Sequence, residues 1–127
     1  MLAGPTEAVV YCDAGNVEFF ASDIVAQAEH APDAVVVHVT TRPERAKQMR
    51  TAVGSLSRRN AIARQAIRKN GYSLLAGSRD QALEWVNRLA PEHLTIAESD
   101  LDQVQNAGSV FVGSYSPQSG RRLRGRS

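Results

Sequence analysis

Two short stretches of this chain gather side chains able to hold a metal ion or move a proton. The first is "QAEH", where Gln27 and His30 stand three apart. On a helix that spacing puts both on one face, where they could meet a common atom. Imidazole is a good ligand for a divalent ion, and an amide oxygen is a weak one that becomes useful in an oxygen-rich site. Glu29 is expected to point elsewhere. A plainer role for His30 stays open: a cation at the C-terminal end of its own helix, which the helix dipole favours. The second stretch is "PEHL", Pro91 to Leu94. Glu92 could abstract a proton and His93 could shuttle one, each with a pKa that burial and neighbours tune. Consecutive side chains of a strand point to opposite faces. Both can therefore serve one site only from a loop ahead of a strand, which Pro91 favours. The plain alternative is that Pro91 ends a helix, Glu92 is solvated and His93 packs.

The elements that must position these residues alternate along the chain. "EAVVYCD" reads as a buried strand ended by a turn at Ala14 and Gly15. Asn16 then caps the helix "VEFFASDIVAQAEH", with apolar positions at Val17, Phe20, Ile24 and Ala28. A Pro–Asp turn leads to a β-branched strand, Ala34 to Thr40. Pro43 opens a second helix through "ERAKQMRTAV". Gly54 is expected to interrupt it before "LSRRNAIARQAIRKNG", which Asn70 and Gly71 should close as a C-cap. "YSLLAG" is a third strand, and Ser78 caps the helix "RDQALEWVNRLA". "HLTIA" gives a fourth strand, "ESDLDQVQNAG" a short helix and "SVFVG" a fifth strand. Strands that are short, apolar and not strictly alternating predict a mostly parallel sheet covered by helices on both faces. The expected fold is therefore α/β and doubly wound, with about five strands. In such sheets ligands gather at the carboxyl ends of the strands. The dinucleotide fingerprint G-x-G-x-x-G is nevertheless absent, "AGSRDQ" being a poor match, and there is no P-loop. Phe19, Phe20, Trp85 and Leu89 belong to the expected core. Cys12 reads as a small buried residue, His38 as packed or at a sheet edge, and Arg58 and Arg59 as a solvated helix face.

Composition excludes other classes. The 127 residues, 43% hydrophobic and 22% charged, suit one ordinary globular domain. No apolar run approaches a membrane span, and "MLAGPTE" does not read as a secretory leader. The single cysteine makes no internal disulfide, so a cytoplasmic location is expected. Of the 15 Lys and Arg, four (Arg121, Arg122, Arg124, Arg126) fall in the last seven residues, and the remaining 11 face 13 acidic residues. The basic balance belongs to the tail. That tail lacks the interleaved aromatics of a single-strand binder, so no nucleic-acid partner is expected.

Four motifs in order, "AGPTE" at residues 3–7, "AQAEH" at 26–30, "APEHL" at 90–94 and "NAGSVFVGSYSP" at 106–117, closely resemble histidinol dehydrogenase. The resemblance runs from Met1 to about Ser119. It implies a Rossmann-like domain and the NAD-dependent, two-step oxidation of L-histidinol to L-histidine in histidine biosynthesis, by a homodimer with zinc. By the family pattern Gln27 and His30 match two zinc ligands that also meet the substrate. Glu92 and His93 match the catalytic acid–base pair, and Thr6 takes the place of a Ser or Thr that touches the substrate. Zinc would hold the substrate's imidazole and amino nitrogens, an orienting role.

The same resemblance sets expectations where the sequence departs from the family. Members are expected to be about three times longer, with the NAD site in an upstream domain; no residue here is assigned to NAD. An aspartate and a further histidine would complete the zinc shell beyond "SYSP". Residues 1–117 are thus expected to be an incomplete Rossmann-like domain, truncated at both ends, and 118–127 a disordered basic tail. Codons for "GRRLRGRS" can be chosen so that a one-base shift gives Ala-Gly-Asp-Tyr-Ala-Ala-Gly, which makes the tail a candidate frameshift product. On this reading the chain by itself is an inactive or partial fragment. A non-enzymatic module that associates with itself or with a full-length homologue is the alternative.

Overall fold

The computed structural model describes residues 6–97, 109–113 and 121–124, with side chains described for 6–96. Strand β1 (Thr6–Tyr11) leads to helix α1 (Val17–His30), β2 (Val35–Thr40), α2 (Pro43–Leu56), α3 (Ala61–Asn70) and β3 (Gly71–Leu75). Then come α4 (Arg79–Leu89), β4 (His93–Ala97), β5 (Ser109–Gly113) and β6 (Arg121–Arg124). The sheet order is β3-β2-β1-β4-β5-β6. Every pairing is parallel except β5 with β6. The chain therefore winds outward from β1 to β3 and then crosses back to β4 on the other side of β1. This is the doubly wound α/β arrangement that the alternating pattern predicts.

The central strands explain why alternation is missing from the sequence. All six residues of β2 are buried. Val35, Val37 and Val39 pack with Ala82, Leu83 and Val86 of α4 on one face. Val36 packs with α1, α2 and α3 on the other, beside Phe20, Met49 and Ala66. A strand covered on both sides profits from apolar residues at every position, each fully buried one contributing about 1.5–3 kcal/mol. Phe20 is core, whereas Phe19, Trp85 and Leu89 are half-buried along its margins.

Polar caps place the helix starts. Asn16 Oδ1 accepts from Phe19 N at 3.0 Å, and Ser78 Oγ accepts from Gln81 N at 3.1 Å. The break between α2 and α3 falls at residues 57–60, not at Gly54, through which α2 continues. Asn60 sets it: its Oδ1 accepts from Ala63 N at 3.0 Å and starts α3. Arg58 and Arg59 are exposed in that turn rather than on a helix face. Gly71 is extended (φ −92, ψ 138) and begins β3, so it is not a left-handed cap. Its smallness matters for another reason, since a Cβ there would stand 2.5 Å from the Ile67 carbonyl oxygen.

The tail needs a further correction. Arg121–Arg124 forms β6, antiparallel to β5, and a four-residue match to an exposed backbone edge suffices for a ladder whatever the side chains. The rest of 118–127, and the helix expected over 98–108, lie outside the described residues. Among the described residues no helix is long and apolar enough to cross a membrane.

Candidate active site at the amino edge of the sheet

The sequence-marked residues meet at the amino ends of the strands, opposite to the carboxyl edge where doubly wound folds commonly bind. Thr6 starts β1, His93 starts β4, and the two strands are neighbours with Ala8 opposite His93. Helix α1 runs back across the sheet and delivers its last turn, with Gln27 and His30, to the same edge. The loop before β4 is pinned there, because Glu92 N–H donates to Thr6 O at 3.3 Å. That loop opens at Ala90, a left-handed helix cap (φ 45) ahead of Pro91. Such a cap reverses the chain in one residue.

Gln27, His30 and His93 line one open cavity of ≈ 670 Å³ together with Ala26 and Glu29. Glu29 thus borders the site, contrary to expectation, because the cavity spreads over the helix end rather than facing one stripe. Thr6 and Glu92 share the edge without lining this cavity; Thr6 is half-buried and Glu92 exposed. Glu92 lies in the loop and His93 is the first strand residue, so the strand's alternation does not force them apart.

Two carboxylates join the cluster that the motifs alone did not single out. Glu7 Oε2 stands 3.6 Å from His93 Nε2, an electrostatic contact with both side chains mostly covered. Strand alternation would send Glu7 to the α4 face with Val9. A register shift between Thr6 and Ala8 makes Glu7 the extra residue of a bulge, and bulges re-aim side chains. Asp23 lies one turn before Gln27 on α1. Its Oδ2 accepts from Thr95 Oγ1 at 2.6 Å, and the Gln27 amide also bonds to it. Burial pushes the Asp23 carboxyl up, while the Thr95 bond, the positive charge of protonated His93 and the Gln27 bond pull it back. The signal for Asp23 was available: positions 23, 27 and 30 fall on one helical face. No local signal marks Glu7, since the bulge is a property of the paired strands.

The chemistry of this set fits part of a zinc shell. Asp23 takes a hydrogen from the Gln27 amide nitrogen, which leaves the amide oxygen as the donor atom for a cation. His30 is exposed, with an imidazole able to ligate. Among the described residues no three His, Cys, Asp or Glu side chains converge as a metal cluster, so these two donors would need others to complete four-coordination.

Comparison with known proteins agrees with the motif reading. The family model described as histidinol dehydrogenase matches residues 1–121. Histidinol dehydrogenase of Bacillus cereus is 40% identical over 126 residues, covering 93% of this chain and 29% of the relative. That of Methanosarcina mazei is 42% identical over 124 residues, covering 91% and 28%. The crystal structure of histidinol dehydrogenase from Elizabethkingia anophelis superposes with a TM-score of 0.79 at 35% identity, covering 94% of this chain and 29% of that one. The chain therefore spans under a third of the length of these relatives. It belongs to the histidinol dehydrogenase family.

Proposed function

We propose that this chain supplies the substrate-binding and proton-transferring part of a histidinol dehydrogenase site, acting in the NAD-dependent oxidation of L-histidinol to L-histidine in the cytoplasm. The observation that carries this reading is the convergence of Gln27, His30 and His93 on one cavity, with Glu92 tied to Thr6 beside it. Zinc, when bound, would orient the substrate's imidazole and amine, with Gln27 and His30 among its holders. His93 accepts the proton that leaves the substrate's hydroxyl oxygen as the carbon bearing it is oxidised, with Glu7 alongside to stabilise the protonated imidazole. Glu92, in the loop, activates water for the second oxidation, and Thr6 contacts the substrate. Asp23 fixes the amide of Gln27 so that oxygen, not nitrogen, faces the ligand. NAD is the family's oxidant; none of the described residues is assigned to it.

The test is binding of zinc and L-histidinol to the purified chain by calorimetry and amide chemical shifts, beside NAD reduction with a full-length family member as control. Zinc-dependent L-histidinol binding, lost in His30→Ala and weakened in His93→Asn, is expected. Turnover by the chain alone is expected to be absent. Histidinol binding that ignores zinc and both variants would overturn the assignment, and turnover by the chain alone would overturn the division of labour.

A second reading, self-association or docking on a full-length homologue, has one observation behind it. Tyr72 and Leu75 of the edge strand β3 are exposed, at 37% and 51%, as is Ile62 of α3. Concentration-dependent sedimentation abolished by Leu75→Lys would support association through this edge, in the homodimer or otherwise.

A further inference from the structure

Glu29 stands where a helix disfavours a carboxylate. It is the penultimate residue of α1, in the turn whose free carbonyls form the negative end of the helix dipole. Ala31 N–H donates to the Gln27 carbonyl oxygen at 2.9 Å, but Pro32, four residues after Ala28, has no N–H to offer the next one. Glu29 is exposed, and among the described residues it forms no ion pair that would offset the cost. A side chain that breaks a local rule without local compensation points to function.

Its surroundings say which function. Glu29 lines the cavity at the amino edge with Ala26, Gln27, His30 and His93, and no Lys or Arg lines it. Protonated His93 already has Glu7 Oε2 3.6 Å from its Nε2. His30 is neutral when it holds a metal. The Glu29 charge is therefore left uncompensated by the side chains around the cavity, and it adds to the field of the helix end.

Resting on the substrate reading above, we propose that Glu29 is the specificity-determining residue by which this site tells its amino-alcohol substrate from the amino acid that oxidation produces. L-Histidinol and L-histidine share the imidazole and the amine. They differ at one carbon, which carries a neutral hydroxymethyl in one and a carboxylate in the other. Contacts to the shared groups hold both alike. A carboxylate at that carbon would be drawn to bound zinc and repelled by Glu29. Exposed charges interact weakly, so the repulsion is worth about threefold in affinity. That favours release of the product without loosening the substrate.

The experiment titrates the chain, in the presence of zinc, with L-histidinol, L-histidinamide and L-histidine, read by amide chemical shifts. L-Histidinamide is the uncharged stand-in for the carboxylate. Glu29→Gln should tighten L-histidine about threefold and leave the alcohol and the amide unchanged; Glu29→Lys, which moves the charge twice as far, should tighten it about tenfold. The gain should shrink at 0.5 M salt, where charges are screened within about 4 Å. Glu18→Gln removes the same charge at the other end of α1, about 16 Å away at 1.5 Å per residue, and should change nothing. The thermal midpoint of both Glu29 variants should stay equal or rise, because the helix end is relieved of a like charge. L-Histidine affinity that is unchanged in Glu29→Gln, raised equally by Glu18→Gln, or raised whatever the salt, overturns the proposal. Failure of the wild-type chain to bind any of the three compounds overturns the reading of the site itself, and the proposal with it.

Discussion

Asp13 should be worth more to this fold than its half-exposed position suggests. It follows β1 at the carboxyl edge and ties β1 to the end of β2. Its Oδ1 accepts from Thr40 Oγ1 at 2.6 Å and from Thr41 N at 2.7 Å. Its Oδ2 accepts from Thr41 Oγ1 at 2.8 Å and from Tyr11 Oη at 3.3 Å. Burial works against the carboxylate, yet these four donors outweigh it and hold the group below its ordinary 3.8. Bonds to a charged acceptor are worth about 1.5–3 kcal/mol each, but they share one partner and do not add. Water can replace part of the outer pair. The inner one it cannot, since Thr40 is 0% exposed. Asp13→Ala should therefore lower the unfolding free energy by about 2–3 kcal/mol at neutral pH. Because the folded pKa is depressed, the carboxylate's contribution is complete above 3.8 and is lost as pH falls through the lower folded value. The gap between wild type and Asp13→Ala should thus narrow as pH drops below 3.8. Urea unfolding followed by circular dichroism across that range reads both quantities. A neutral-pH gap under about 0.5 kcal/mol, or one that does not change with pH, would refute the reasoning.

Four other outcomes follow from local geometry. Gly71→Ala puts its Cβ 2.5 Å from the Ile67 carbonyl oxygen; it should cost about 1–3 kcal/mol in urea unfolding, as overpacking against backbone does. Thr95→Val removes the 2.6 Å bond to half-buried Asp23 and should cost about 1.5–3 kcal/mol, while also weakening the proposed zinc binding because Gln27 loses its fixed support. Ala90→Gly relieves a left-handed backbone (φ 45) and should raise stability by about 0.5–1 kcal/mol, the left-handed penalty less glycine's extra chain entropy. Cys12 is buried, and desolvation pushes its thiol up to about 12, so little thiolate exists at neutral pH; labelling by iodoacetamide should be at least about 100-fold slower in the native chain than in urea.

The helices and strands were legible because their signals are local. Asn16, Ser78, Pro43 and Pro91 mark starts and stops, and the all-apolar strands announce a sheet covered on both sides. Where a local signal had two readings, packing chose between them. Gly54 looked like a helix break, but α2 runs through it and Asn60 starts the next helix. Gly71 looked like a left-handed cap, but it is extended and small because the Ile67 carbonyl crowds it. The tail's four-residue strand was invisible in "RRLR", since it depends on the free edge of β5 and not on its own side chains.

The site divides along the same line. The sequence by itself determined the family and marked out candidates for the chemistry, because "QAEH" and "PEHL" bring donor side chains close together in the chain. The tertiary structure decided which edge of the sheet carries them: α1 must return antiparallel to β1, so its last turn lands beside the strand starts. It also decided that Glu7 faces His93, through a bulge that exists only once β1 is paired with β2. And it decided that Asp23, 72 residues away from Thr95 in the chain, holds both that hydroxyl and the Gln27 amide. Motifs report what is adjacent in sequence; hydrogen bonds between a helix and a distant strand arise only from the packing that joins them.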